Sequence, residues 1–268
     1  MKTIAIVLAA GKGKRMNSDV KKQYLLLDGK PILYYSLLAF EKSFVDEIII
    51  VSGPDDKEFV AQEIVKKYGF KKVSLIVTGG RERYHSVFNG LMASTACDYV
   101  FIHDGARPFI TQDILNRALE AVKANDATAV GMPVKDTIKI VNKAKRVIET
   151  PNRNDVWLTQ TPQCFAYSPI VCAYEDLLAS ETSLTNRGIN ITDDAMVMET
   201  FGSLPVSLVQ GSYDNIKITT PDDLYIAEII LNKLKEIGEI SSTKSDNNDE
   251  KDSVSETAAP KVSTRNKK

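Results

Sequence analysis

What this sequence has little of narrows its function first. Its 268 residues include three cysteines, Cys97, Cys164 and Cys172. An odd number at these spacings is neither a disulfide framework nor a metal-ligand set. The first residues do not have the make-up of a secretory signal peptide. A reducing cytoplasm is therefore expected, with all three thiols as small core or half-buried groups. The two histidines, His85 and His103, have no partner at ligand spacing, which leaves them structural roles. No apolar run reaches the ~18–20 residues that span a bilayer, so no membrane partner is expected. Charge of one sign is also missing: 34 basic and 35 acidic side chains give a net charge of -1. Such a balance excludes the broad basic field of a nucleic-acid binder. Any phosphate must be held by a local arrangement.

What is present is a strand–helix rhythm. Thr3-Ile4-Ala5-Ile6-Val7-Leu8-Ala9 is a short, β-branched apolar run that stops at a glycine-containing turn, as a buried parallel strand does. Similar runs occupy Glu47–Ser52, Val73–Thr78, Tyr99–His103 and Ala127–Pro133. Helix-period segments lie between them, near Ile32–Phe40, Lys57–Tyr68, Tyr84–Thr95 and Asp113–Lys123. This alternation predicts an α/β fold of Rossmann-like type, a mostly parallel sheet with helices on both faces. After Pro133 the rhythm breaks. Residues 137–141 and 146–150 flank a polar turn and read as a β-hairpin, an arm projecting from the domain over about 135–152. An isolated hairpin is marginal in water, so this one is expected to pack on a second subunit. Further helices are expected from Ser168-Pro169, from Thr192-Asp193-Asp194 and from Thr220-Pro221-Asp222-Asp223, each a capping pattern. A short strand is expected over Asp214–Thr219. One domain thus covers 1–238. Residues 239–268 are polar and lack aromatics, and are expected to form a disordered tail.

The chemistry-bearing residues cluster at the ends of predicted strands. Gly11 and Gly13 let the chain approach a ligand closely, and exposed N–H groups in such a turn attract phosphate. Lys12, Lys14 and Arg15 share that loop, and Lys21 and Lys22 follow. Alone, a Gly-x-Gly turn is as often a plain βα connection. It is not a P-loop, because no Ser or Thr follows Gly-Lys. Nor is it a dinucleotide fingerprint, because Met16 stands where the third glycine belongs. Gly79-Gly80-Arg81-Glu82-Arg83, then His85-Ser86-Val87, forms a second strand-to-helix turn. His103-Asp104-Gly105-Ala106-Arg107-Pro108 places a carboxylate at a strand's carboxyl end, where open α/β sheets bind ligands. Asp104 is suited to a Mg²⁺ ion held against a triphosphate, and Arg107 to a bidentate grip on phosphate; in isolation the two also read as a turn-bracing pair.

Taken together, Leu8-Ala9-Ala10-Gly11-x-Gly13-x-Arg15-Met16, Lys22-Gln23-Tyr24 and the motifs after them resemble the 2-C-methyl-D-erythritol 4-phosphate cytidylyltransferases, from Lys2 to about Leu234. The resemblance implies transfer of a cytidylyl group from CTP to 2-C-methyl-D-erythritol 4-phosphate in non-mevalonate isoprenoid synthesis, with Mg²⁺. It implies that Ala9, Ala10, Gly11, Gly13, Gly80, Arg81 and Ser86 hold the nucleotide. Many family members have Asp where Arg81 stands, which puts only that side chain in question. Arg15 and Lys22 would stabilise the transition state. Gly105, Arg107, Thr137 and Thr161 would face the acceptor. Arg153, reaching across a homodimer through the arm, and Lys217 would grip the acceptor's phosphate, and Asp104 and Asp214 would be metal-side carboxylates. The nearest rival is a ribitol 5-phosphate cytidylyltransferase, which resembles Ala-Gly-Gly in the first turn and His-Asp-Ser-Val-Arg-Pro in the acid motif. A catalytically inactive nucleotide-binding protein and a nicotinamide oxidoreductase are the readings of other classes.

Overall fold

The computed structural model describes residues 1–11, 13–16 and 20–240. The expected tail lies outside the described residues apart from Glu239 and Ile240, as does Lys12 of the first turn.

The first strand shows why the fold is three-layered. In β1 (Thr3–Ala9) Ala5, Val7 and Ala9 enter one apolar cluster while Ile6 enters another on the opposite face. Both faces of the strand are therefore buried, which is why its sequence is continuously apolar rather than alternating. The chain continues through a two-stranded ribbon, β2 (Leu26–Leu27) and β3 (Lys30–Pro31), into α1 (Ile32–Glu41) and β4 (Glu47–Ser52). The next helix begins as α2 (Lys57–Phe59) and widens to i→i+5 bonding over Val60–Lys66. Then follow β5 (Val73–Thr78), α3 (Arg83–Ala93), β6 (Tyr99–Asp104), α4 (Gln112–Asn125) and β7 (Ala127–Pro133). Each predicted strand–helix pair in this half is present, with ends shifted by one or two residues.

The second half departs from the sequence reading. The arm's paired strands are shorter than expected, β8 (Ile140–Val141) against β9 (Val147–Glu149). A ten-residue strand, β10 (Trp157–Ala166), follows, where the sequence reading places no element. It runs antiparallel between β6 and β7. Helix α5 (Tyr167–Ala179) starts directly from β10, with Ala166 at its cap, rather than at Ser168-Pro169. Pro169 sits inside the first turn, where a missing N–H costs nothing. Then come α6 (Glu181–Asn186), α7 (Asp194–Phe201), β11 (Ser207–Gln210) and α8 (Asp222–Glu236). Asp193 caps α7 as predicted, its carboxylate accepting from the Met196 N–H at 2.9 Å. The expected strand over Asp214–Thr219 is instead an irregular segment. Buried Asn215 pins it crosswise, its amide donating to the Gln160 Oε1 at 3.2 Å and the Thr161 carbonyl at 3.0 Å, so no strand ladder forms there.

The main sheet runs β11-β7-β10-β6-β1-β4-β5, parallel except for β10. One face packs the cluster that includes Phe40, Ile64 and Leu115; the other packs Leu91, Tyr174 and Met198. From β1 the chain builds outward through β4 and β5, then returns to place β6 on β1's other side. The carboxyl ends of β1 and β6 therefore flank a topological switch point, where such sheets open a crevice.

Candidate active site

At that switch point lies a cleft of about 540 Å³, lined by three loops and one late segment. The loop after β1 contributes Ala10, Gly11 and Gly13. Gly13 has φ +62, a left-handed conformation that glycine adopts without penalty. Gln23, buried behind this loop, donates its amide to the carbonyls of Ala9 (2.6 Å) and Gly11 (3.1 Å) and so fixes its path. The loop after β5 contributes Gly80, Arg81, Glu82 and, at the start of α3, Arg83 and Ser86. A Cβ on Gly79 would lie 2.4 Å from that of Ala10, so the two glycine loops pack directly on each other. The Ser86 hydroxyl accepts from the Gly80 N–H at 3.0 Å. Arg81 is drawn outward, its guanidinium paired with Glu181 on α6.

Charge is concentrated on the third wall. Asp104, buried at the end of β6, takes the Lys217 ammonium on Oδ2 at 2.6 Å and the Arg83 Nε on Oδ1 at 3.4 Å. Burial by itself would push its carboxyl upward; Arg83, Lys217 and Arg107 outweigh that and hold it well below the usual carboxylate range. Lys22 lines the same cleft and donates to the Ile218 carbonyl at 3.1 Å. Burial, with repulsion from Lys217, brings its ammonium down to about 8, although Asp104 pulls the other way. Arg15 is exposed on the short 3₁₀ turn Lys14–Met16 and adds to that repulsion.

Several predicted residues stand one layer back. Gly105 is required by packing, since a Cβ there would lie 2.8 Å from Leu33 and 2.9 Å from the Leu8 carbonyl. Arg107 donates to the Asn215 carbonyl at 2.7 Å, which ties β6 to the segment carrying Lys217. The Thr161 hydroxyl accepts from the Asp104 N–H and contacts His103 Nδ1, each at 3.1 Å. His103 is held near pKa 4 by burial and bonds the Arg107 carbonyl through Nε2 at 3.1 Å. Thr161 and His103 thus brace Asp104 from behind; the histidine is structural, as its isolation in the sequence implies. His85 likewise belongs to the cap of α3.

Three predicted residues are not brought to the cleft within one chain. Thr137 and Arg153 are exposed at the base of the arm, with Arg153 donating to the Lys135 carbonyl at 3.3 Å. Asp214 faces a separate hollow beside α4 and α8, paired with Lys233 at 2.5 Å. Among the described residues no cluster of three or more His, Cys, Asp or Glu side chains forms a cage for a metal. A lone carboxylate at Asp104 fits Mg²⁺ that is held mainly by substrate phosphates. Sequence reasoning gave no part in the site to Gln23, Arg83 or Asp194, and read Asp194 only as belonging to the cap of α7. Arg83 belongs to the second glycine motif, but its bidentate partner Asp194 lies 111 residues away, a pairing no local pattern reveals.

Comparison with known proteins agrees with this architecture. Residues 3–233 match the family described as IspD, 2-C-methyl-D-erythritol 4-phosphate cytidylyltransferase. A protein of that name from Lachnoclostridium phytofermentans is 51% identical over 230 residues, covering 86% of this chain and 96% of its own. Another from Clostridium botulinum (strain Langeland) is 48% identical over 235 residues, covering 87% and 99%. The solved structure of a 4-diphosphocytidyl-2C-methyl-D-erythritol synthase from Anaerococcus prevotii superposes with a TM-score of 0.74 at 35% identity, over 86% of this chain and 96% of that one. Sequence, sheet order and cleft together make this chain a member of the 2-C-methyl-D-erythritol 4-phosphate cytidylyltransferase family.

Proposed function

We propose that the protein transfers the cytidylyl group of CTP to 2-C-methyl-D-erythritol 4-phosphate, giving the CDP-linked alcohol and pyrophosphate. The observation that carries this reading is the convergence of Lys22, Lys217 and Asp104 on one cleft beside two tightly packed glycine loops. A phosphate monoester is already a nucleophile. One of its oxygens attacks the α-phosphorus, a new P–O bond forms, and the bond to the β-phosphate breaks with its electron pair leaving on pyrophosphate. No strong base is needed. The barrier is the approach of two anions and the charge built up between them, so positioned cations supply the catalysis.

Ala10, Gly11 and Gly13 offer backbone N–H groups to the triphosphate, and the Gly80–Ser86 turn faces the base. Lys22 and Arg15 meet the charge that develops on the α-phosphate. Lys217, released from Asp104 as an anion arrives, holds the acceptor phosphate. Mg²⁺ bound with the triphosphate would neutralise part of its charge, with Asp104 as its protein ligand. Arg153 and Thr137 reach the acceptor from a second copy of the chain. The exposed apolar side chains Ile140, Val141, Val147 and Ile148 give the arm a surface for that association. Three unpaired cysteines suit a reducing cytoplasm: Cys164 is buried and burial pushes the Cys97 thiol up to about 12, while Cys172 is exposed rather than core or half-buried as expected. Pyrophosphate release from CTP with this acceptor, against ribitol 5-phosphate in parallel, tests the assignment. Faster turnover with ribitol 5-phosphate would replace it, and tight CTP binding with no turnover would return the inactive-binder reading.

A further inference from the structure

Behind the cleft runs a chain of buried polar contacts that the proposed reaction does not use directly. The Arg83 guanidinium makes a two-pronged contact with Asp194, Nη1 to Oδ1 and Nη2 to Oδ2, both at 2.7 Å. Asp194 is fully buried and also accepts from the Tyr174 hydroxyl at 2.5 Å. Its helix is anchored in turn: the Gln163 side chain accepts from the Ala195 N–H at 2.7 Å and donates to Asp193 at 2.9 Å. Arg83 therefore has both terminal nitrogens fixed, and only its Nε is turned toward Asp104 Oδ1.

Gln163 and Thr161 lie on the same strand, β10. Asp104 is consequently held twice from one strand, at its backbone by Thr161 and at its carboxylate through Gln163, α7, Asp194 and Arg83. With Oδ1 occupied, Oδ2 alone is presented to Lys217. A planar fork clamped on one edge transmits orientation in a way that a flexible ammonium does not.

We propose that Arg83 is a positioning residue for cytidylyl transfer, clamped by Asp194 so that it fixes the Asp104 carboxylate and, through it, the resting place of Lys217. This rests on the assignment of Lys217 to the acceptor phosphate. The alternative is that Arg83 only neutralises Asp194 in the core. Removing one member of the pair leaves a buried charge, so the paired variant Arg83→Gln with Asp194→Asn separates the two roles.

The experiment measures melting temperature, calorimetric affinity for CTP and for 2-C-methyl-D-erythritol 4-phosphate, and steady-state turnover of the full-length protein. The expected double variant melts within a few degrees of wild type and binds CTP within about threefold. It loses roughly tenfold to a hundredfold in kcat and a similar factor in acceptor affinity, the scale of a small misplacement of reacting groups. Asp194→Asn alone, which keeps Arg83 but removes the charged clamp, is expected to lose several-fold in kcat. A folded double variant, or Asp194→Asn, with wild-type kcat and acceptor affinity would overturn the role of Arg83. So would a loss confined to CTP affinity, which would make Arg83 a nucleotide contact. Absence of turnover in wild type would overturn the activity itself, while the acceptor affinities would still decide the role of Arg83.

Discussion

The cleft and the arm carry residues of the same proposed reaction, yet they are built by opposite means. In the cleft, Asp104 is buried, bonded on three sides and braced by a histidine that cannot ionise near neutrality. In the arm, Thr137 and Arg153 are exposed, and the paired strands contribute only two and three residues. Geometry in the first is over-determined by one chain; in the second, on the proposed reading, a second copy would complete it. Side chains that look ordinary in a monomer can therefore belong to an active site, and their exposure is not a sign of indifference.

The largest test of this contrast strikes the cleft. Lys22→Ala is expected to lower kcat by roughly 10²–10³, the scale seen when one pre-placed transition-state contact is lost, with little change in melting temperature. Near-normal pyrophosphate release would remove Lys22 from the mechanism. Next, Arg153→Ala is expected to reduce turnover by about tenfold or more, judged as the loss of one charge-assisted phosphate contact. Mixing it with Lys22→Ala decides the geometry. Random exchange in a two-fold dimer makes half of the dimers hybrids, each with one intact site of two, so about a quarter of wild-type activity returns if Arg153 acts across the interface. If Arg153 served its own chain, mixing would restore nothing.

A smaller effect is expected with pH. The Lys22 ammonium, at about 8 in the free protein, loses its charge as pH rises through that value. Since kcat/KM reports the free enzyme, kcat/KM for CTP should fall on the alkaline side of pH 8, and Lys22→Arg should move that limb upward. An unchanged limb in the variant would assign it to another group. The smallest effect belongs to the arm's tip, where Lys145 has φ +59. Lys145→Gly is expected to stabilise the hairpin by roughly 0.5–1 kcal/mol by removing a left-handed strain, seen as slower proteolysis between β8 and β9 with unchanged turnover. Faster cleavage would mean that the turn gains from the lysine side chain.

The first half of the fold was legible because each element there obeys a local rule. Ile4 to Leu8 is apolar throughout because both faces are covered, and Gly13 sits in the loop after the strand where a positive φ is needed. The second half depends on distant partners. β10 carries Thr159, Gln160, Thr161 and Gln163, a polar run that makes sense only once Asp104, Asn215 and α7 are in place around it. β11 is a four-residue strand with alternating exposure, too short for its Leu208-Val209 pair to stand out. Of the site, motifs at strand ends could be read directly. Arg83 needed Asp194, and Asp214 was drawn to Lys233 by a helix whose placement no motif encodes.

The central position of β10 has a consequence for how the chain is made. When a ribosome has delivered residues up to β7, strand β6 has β1 on one side and an unsatisfied edge on the other, and that edge bears Phe101 and Ile102. Only after Ala166 emerges can this gap close, and only after Lys217 emerges can Asp104 add that ammonium to its contact with Arg83. Nascent chains must cross some thirty residues of synthesis, from Pro133 to Ala166, with an open seam through the middle of the sheet, at rates of about 5–20 residues per second. Such an edge invites pairing with other strands. The strand that ends this exposure to aggregation is also the strand that braces Asp104 through Thr161.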